Sequence, residues 1–454
     1  MNTVVSRFAP SPTGLLHAGN YRTAVFAYLF AKHEGGKFIV RIEDTDAVRS
    51  KKEYETPIFE TLAWLDLLAD AQYRQSEHRP RHRELLEKLI ADGSAYISKE
   101  IPKNPGDREE VIRFKNPGGA VTFTDVIRGE ITTEVDDLKD FVIARSLDEP
   151  VFHFAVAVDD ADEGVTHVIR GADHISNTAR QILILRTLQF PVPLYAHLPL
   201  IFDNTHKKLS KRTGAKALIE YRNEGILPEA MWNYIAFLGW NPGDDREYLS
   251  RDELVKAFDI SRVQKGSAIF DEVKLFSVNQ HWMRELSDDN FLAHVLDVVR
   301  PTSDVGRTTS YNPEILRKTV PLLKERAKTF GEAREMLKGD LACFFSEPNL
   351  DREKLLAKEP TDRPGVAISA LKALLEPIKA LPEGVSSAAV KEALMPLADA
   401  EEASGKGGRG AVLWPLRYAL SGQERSPDPF TIISVLGRDE TISRIQKAIA
   451  ILGE

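Results

Sequence analysis

Near the N-terminus, apolar and polar positions follow one another in a way that sets out three elements in quick succession. Residues 3–9 read as a strand, with Val4-Val5 followed by Arg7, Phe8 and Ala9, closed by the turn Pro10-Ser-Pro-Thr-Gly14. Tyr21, Ala24, Val25, Tyr28 and Leu29 then recur at the spacing of an amphipathic helix, which Gly35-Gly36 stops. Residues 38–43 follow as a second strand. Strand, tight turn, helix and parallel strand form the opening unit of a doubly wound nucleotide-binding fold.

Helical patterning continues through residues 58–66 and 81–90. Between about 95 and 150 the character changes: strand-like pieces at 111–114, 120–127 and 130–134 are separated by Asn116-Pro-Gly-Gly119 and Gly129, which reads as a small insertion. The strand-and-helix style resumes with residues 152–158 and a long helix at 177–188. Beyond about 290 strand signals fade and helical runs dominate, among them 313–329, 366–381 and 439–452. Residues 401–410, rich in glycine and charge, read as a mobile loop. The expected fold is therefore α/β followed by all-α, with no internal repeat.

Composition narrows this picture only modestly. A chain of 454 residues is too long for one core, and 43% hydrophobic with 28% charged residues is ordinary for a soluble globular protein. No stretch approaches a membrane span, and the first residues lack a basic region plus apolar run, so a cytoplasmic location is expected. The single cysteine, Cys343, excludes an internal disulfide and lies in an apolar run that suits a buried structural thiol. A formal charge of −8 argues against a broadly basic surface but leaves room for a local cationic patch.

Two segments carry the chemistry. Pro10, Pro12 and Gly14 make a rigid turn with Ser11 and Thr13, leaving His17, Gly19 and Asn20 at the first turn of the next helix. Free backbone N–H groups and the helix dipole favour phosphate there; Gly19 permits close approach, and His17 and Asn20 share one face as donors. Far downstream, Lys208-Leu-Ser-Lys-Arg212 is polar, loop-like and cationic, suited to closing over a triphosphate. Either segment alone reads as a capped turn or a solvated basic loop. In this order they describe two halves of one ATP site.

These paired segments resemble the two signatures of class I aminoacyl-tRNA synthetases. The flanking residues are similar to the bacterial glutamyl-tRNA synthetases in particular. Arg7-Phe-Ala-Pro-Ser-Pro-Thr-Gly14, Arg41-Ile-Glu-Asp-Thr-Asp46, Val168-Ile-Arg-Gly-Ala-Asp-His174, Ala196-His-Leu-Pro-Leu200 and Pro415-Leu-Arg-Tyr-Ala-Leu-Ser-Gly422 carry the likeness along almost the whole chain. The resemblance implies a Rossmann-like catalytic domain in two halves (1–94 and 151–204) around an inserted acceptor-end-binding subdomain (95–150). A signature loop and stem-contact region (205–290) and a helical anticodon-binding region (291–454) complete it.

It also implies roles. Arg7 and Arg170 would hold the γ-carboxylate of glutamate, Glu43 its α-ammonium, with Ala9, Ser11 and Phe152 lining the same pocket. Pro12, Thr13, Gly14, His17, Gly19, Asn20, Leu209, Ser210, Lys211 and Arg212 would bind ATP, with His17, Lys208 and Lys211 stabilising charge on its phosphates. Arg317, Lys324, Arg326 and Lys328 are candidates for contact with tRNA phosphates. The implied reaction is activation of L-glutamate to glutamyl-adenylate and transfer to tRNA(Glu), by a monomeric enzyme using ATP with Mg²⁺. Three departures stand out. Phe152 replaces a frequent tyrosine, Asn20 replaces the second histidine of the general signature, and residues 95–130 lack the cysteines with which some members bind zinc, so no zinc is expected. A relaxed enzyme that also charges tRNA(Gln) and a non-catalytic RNA-binding relative are the alternatives. The second is disfavoured by the presence of His17, Gly19, Lys208 and Lys211.

Overall fold

The computed structural model describes residues 3–46, 48–101, 109–210, 214–299, 311–360, 365–404 and 408–453. They fall into two units, Met1–Trp282 and Met283–Glu454. The sequence pattern placed this change near residue 290.

The strands of the first unit are β1 (Val5–Phe8), β2 (Lys37–Ile42), β3 (Ala71–Arg74), β4 (Ala95–Lys99), β5 (Glu110–Phe114), β6 (Ala120–Asp125), β7 (Gly129–Glu134), β8 (Phe141–Ser146), β9 (Glu149–Pro150), β10 (His167–Gly171), β11 (Leu194–Leu198), β12 (Ile201–Phe202) and β13 (Ala268–Ile269). Its helices are α1 (Ala18–His33), α2 (Lys52–Trp64), α3 (Arg79–Ala91), α4 (Phe152–Asp162), α5 (Ile175–Thr187), α6 (Leu218–Asn223), α7 (Pro228–Ala236), α8 (Arg251–Ala257) and α9 (Glu272–Glu285), the last running across the division between the units.

Seven strands form one sheet in the order β3-β2-β1-β10-β11-β6-β7, parallel except for the final hairpin. The order reverses direction between β1 and β10. A crevice opens there beyond the carboxyl ends of the strands, the usual place for a ligand in such sheets. Register fixes what lines it: Arg7 pairs with Ile39, and Arg170 on β10 stands opposite His197 on β11.

Two local readings of the sequence are corrected. Residues 152–158 form the start of α4 rather than a strand. Phe154 to Val158 are all buried, so an apolar run with no polar stripe carries no helical period to read. The strand-like pieces between 95 and 150 also divide between two sheets. β4, β5, β8 and β9 form a separate antiparallel sheet, whereas β6–β7 extends the main one through the pairing of Asp125 with Tyr195. One core joins both sheets, with Phe114 and Phe141 stacked at 5.2 Å beside Phe154 of α4.

Among the described residues the second unit is helical: α10 (Asp288–Val299), α11 (Pro313–Arg326), α12 (Phe330–Lys338), α13 (Arg352–Leu355), α14 (Val366–Lys379), α15 (Ser387–Ala403), α16 (Gly410–Ser421), α17 (Pro429–Leu436) and α18 (Arg438–Gly453). α14 packs against α15, α16 and α18. Buried Arg444 ties this core together by donating to the carbonyls of Cys343 and Leu420, both at 2.7 Å. Burial pushes the Cys343 thiol up to about 11, which suits a structural role. Of the expected loop at 401–410, residues 401–403 belong to α15 and 405–407 lie outside the described residues. No described helix is long and apolar enough to cross a membrane.

Candidate active site

A cleft of about 450 Å³ opens at the start of α1 and the carboxyl ends of β1 and β10. The proline-rich turn is pinned on one side of it. The Pro10 carbonyl accepts the Glu43 N–H at 3.0 Å and the Pro12 carbonyl accepts the Lys51 N–H at 3.0 Å, so the turn sets where Glu43 leaves β2.

His17 caps α1. Its Nδ1 accepts from the Gly19 N–H at 3.1 Å, while the Asn20 side-chain oxygen accepts from the His17 N–H at 3.1 Å. This reciprocal cap leaves the neutral ring protonated on Nε2 and leaves Asn20 with its amide N–H groups as donors. The structure gives Gly19 a further role beside the expected one at the cleft. A Cβ there would lie 2.9 Å from His17 Cε1, so glycine keeps the imidazole seated over the helix start.

On the β1–β2 side, two buried guanidiniums meet four buried carboxylates. Arg7 Nε donates to Asp160 Oδ1 at 3.0 Å. Arg41, fully buried, donates to Asp160 at 2.9 Å, Glu43 at 3.2 Å and Glu163 at 2.6 Å, with Asp159 3.9 Å from its Nε. Charge balance decides which acids ionise. Burial raises all four, but Arg7 and Arg41 together hold Asp160 below its ordinary range, and His82 with Arg41 does the same for Asp159. The two glutamates go the other way. Burial pushes Glu43 up to about 7 and Glu163 up to about 8, despite Arg41. Two ionised aspartates thus offset two cations, and Glu43 lines the cleft poised to ionise when a cation arrives.

On the β10–β11 side, Arg170 is held by neutral groups. Its Nε donates to His197 Nε2 at 3.1 Å and its Nη2 to Thr178 Oγ1 at 2.8 Å. His197 Nδ1 in turn lies 2.6 Å from Asp125 Oδ2. The guanidinium stands 5.3 Å from the centre of the Tyr195 ring. Among the described residues no carboxylate pairs with Arg170, and its buried Nη1 has no hydrogen-bond partner. Burial pulls its guanidinium down to about 10, so it stays cationic at neutral pH.

Most of the residues expected from the sequence meet at this cleft. Arg7, Ala9, Ser11, Thr13, His17, Gly19, Asn20, Glu43, Phe152, Arg170, Lys208, Leu209 and Ser210 all line it. Pro12 and Gly14 shape the turn without lining the cleft, and Lys211 and Arg212 lie outside the described residues. Phe152, 37% exposed, sets its ring 5.4 Å from His174. Lys208 pairs with Asp173 at 2.9 Å, a half-exposed contact that an incoming phosphate could exchange. In the second unit, Arg317 pairs with Asp289 at 2.6 Å, and Lys324 is turned inward to the Leu286 carbonyl and Asp288. Arg326 is exposed and Lys328 half-buried. The sequence reading missed Asp160, Arg41, Glu163, Asp125 and His197. A buried Asp159-Asp160 pair ending an apolar run was the available signal for the first of these.

A parallel sheet with this order, a histidine-capped helix start and a lysine-bearing loop define the catalytic domain of a class I aminoacyl-tRNA synthetase. The family model for class I tRNA synthetases (E and Q), catalytic domain, matches residues 3–105 and 102–277, and the anticodon binding domain model matches 289–449. Glutamate–tRNA ligase 2 of Novosphingobium aromaticivorans is 38% identical over 98% of this chain and 96% of its own length. Glutamate–tRNA ligase 1 of Xanthobacter autotrophicus is 38% identical over 99% and 100%. The crystal structure of a glutamate tRNA ligase from Elizabethkingia meningosepticum, in complex with its amino acid, superposes with a TM-score of 0.84 at 32% identity, covering 99% of this chain and all of that one. The chain belongs to the class I synthetases for glutamate and glutamine, and within them to the glutamate–tRNA ligases.

Proposed function

We propose that the cleft activates L-glutamate with ATP and passes it to tRNA(Glu). The observation that carries this reading is the unpartnered Nη1 of Arg170 in a cleft that also holds Arg7 and Glu43. Two guanidiniums suit a side-chain carboxylate, and Glu43 suits an α-ammonium. ATP then lies across the start of α1, where the Nε2–H of His17 and the amide of Asn20 donate to phosphate oxygens. The α-carboxylate of glutamate attacks the α-phosphorus, the bond to the β-phosphate breaks, and pyrophosphate leaves. The 2′-hydroxyl of the terminal tRNA adenosine next attacks the activated carbonyl and releases AMP. No side-chain nucleophile takes part. Positioning and charge stabilisation supply the acceleration, with His17, Lys208 and Lys211 acting on the phosphates.

Among the described residues no group of three His, Cys, Asp or Glu side chains could hold a metal ion. Mg²⁺ belongs to the proposal as the counter-ion of ATP, where it neutralises phosphate charge, and zinc does not. The same proposal takes the enzyme to be a cytoplasmic monomer, with Arg317, Arg326 and Lys328 as candidates for contact with tRNA phosphates, Arg317 by exchanging its pair with Asp289, and Lys324 serving structure first. The test is to charge purified tRNA(Glu) and tRNA(Gln) with labelled glutamate, and to offer glutamine in its place. Glutamate should reach tRNA(Glu), and glutamine should reach neither tRNA. Failure to charge either tRNA with glutamate would remove the reading, and equal charging of both would replace it with the relaxed form.

A further inference from the structure

His197 is fully buried and does not line the cleft, yet it stands between Asp125 at the end of β6 and Arg170, which lines the cleft. Asp125 accepts the Ile127 N–H at 3.0 Å and the Arg128 N–H at 2.8 Å on one oxygen, which fixes the carboxylate in its turn. Its other oxygen accepts the backbone N–H of His197 at 3.1 Å and faces the imidazole Nδ1 at 2.6 Å. An ionised carboxylate can only accept, so Nδ1 carries the proton and Nε2 is left as a bare acceptor. That acceptor meets the Arg170 Nε–H at 3.1 Å. If Nε2 were protonated, two N–H groups would face each other in the interior.

We infer that His197, locked by Asp125 in the Nδ1–H form, is a positioning residue that turns Arg170 toward the cleft without neutralising it, and that it thereby sets the preference for glutamate over glutamine. This deepens the proposed function and rests on it. The chemistry of the holder is what matters. A carboxylate in place of the imidazole would orient Arg170 equally well but would cancel its charge, as Asp160 does for Arg7. A neutral acceptor leaves a buried cation whose open Nη1 still needs an anion. Glutamate supplies one. Glutamine fills the same space but leaves the cation uncompensated, the kind of mismatch that costs large factors in specificity. Thr178 supports the arrangement, its hydroxyl accepting from Arg170 Nη2 at 2.8 Å and lying 3.2 Å from His197 Nε2.

Two substitutions separate positioning from mere packing. His197→Asn keeps an N–H where Nδ1 meets Asp125 but removes the acceptor for Arg170. His197→Gln keeps a carbonyl oxygen near the place of Nε2. In tRNA(Glu) charging, His197→Asn should raise the glutamate KM roughly tenfold or more with the ATP KM unchanged, as expected for loss of one hydrogen bond to a charged group. It should also narrow the discrimination against glutamine. His197→Gln should restore most of both. Equal glutamate KM values for the two variants, raised or not, would overturn the inference. A measurement on the wild-type enzyme needs no variant to fold well: ¹⁵N histidine spectra at pH 7 should show His197 neutral and protonated on Nδ1, and an imidazolium or an Nε2–H form would equally overturn it. A wild-type enzyme that charges no tRNA removes the proposed function instead, so the two failures are distinguishable.

Discussion

Two arginines face one cleft from adjacent parallel strands, and they are held by opposite means. Arg7 on β1 sits in a bed of acids, paired with Asp160 and next to the four-carboxylate cluster around Arg41. Arg170 on β10 rests on a histidine, a threonine hydroxyl and an aromatic ring. Both are almost fully buried. The difference teaches how a site can be rigid and hungry for charge at once. The compensated side supplies a stable frame, because breaking a buried ion pair leaves an isolated charge. The uncompensated side is where binding energy for an anion resides, at some cost to the empty protein.

The largest expected effect lies on the uncompensated side. Arg170→Met should lower kcat/KM for glutamate by roughly a thousandfold, about 4 kcal/mol, chiefly through the glutamate KM, since a buried charge pair with the substrate is lost. Steady-state charging of tRNA(Glu) reads it, and a change below tenfold would assign the carboxylate to Arg7 instead. On the compensated side the main effect is on stability. Arg7→Met strands part of the charge on Asp160 and should lower the unfolding free energy by about 3 kcal/mol, seen as a lower denaturant midpoint. An unchanged midpoint would mean that Arg41 alone satisfies Asp160.

A smaller effect follows from pH. Glu163 is held at about 8 in the folded state, above its ordinary value, so the folded protein binds that proton more tightly than the unfolded chain. Its contribution to stability is therefore fully present below the ordinary carboxylate range and is lost as pH rises through about 8. Glu43, pushed to about 7, behaves the same way one step earlier. Asp159 and Asp160, depressed by their cations, have the opposite sign and lose their contribution only in acid. Between pH 6 and 9 the ligand-free enzyme should lose stability, and Glu163→Gln, which keeps an oxygen for Arg41, should flatten that decline by on the order of 2 kcal/mol. Melting curves across this range check the slope, and an identical slope in the variant would show that the Glu163 proton is not involved.

The two sides were unequally legible in the sequence. Strand, turn and helix around His17 could be read from local patterning, because the cap, the prolines and the glycines act within a few residues of one another. Arg7, Glu43 and Arg170 came from resemblance to a family, and the structure brings them to one cleft. What holds those residues could not be read. Asp125 and His197 are 72 residues apart and meet only through the pairing of β6 with β11, while Asp160 reaches Arg7 across 153 residues. The alternation in residues 120–134 fits either sheet equally well, since period-2 patterning says which face is buried but not which neighbour is paired. α4 hid for a related reason: Phe154 to Asp160 are all buried, so its middle shows no polar face to mark a helix.

The most direct test of unequal compensation is the melting temperature of Arg170→Met without substrates. If Arg170 is an uncompensated buried cation, an apolar side chain of similar length should leave the empty protein as stable as the wild type or raise its melting temperature by a few degrees, a stability gain bought with function. The glutamate-dependent rise in melting temperature should disappear in the same variant. A fall of several degrees in the ligand-free protein, comparable with that of Arg7→Met, would contradict the distinction between the two arginines.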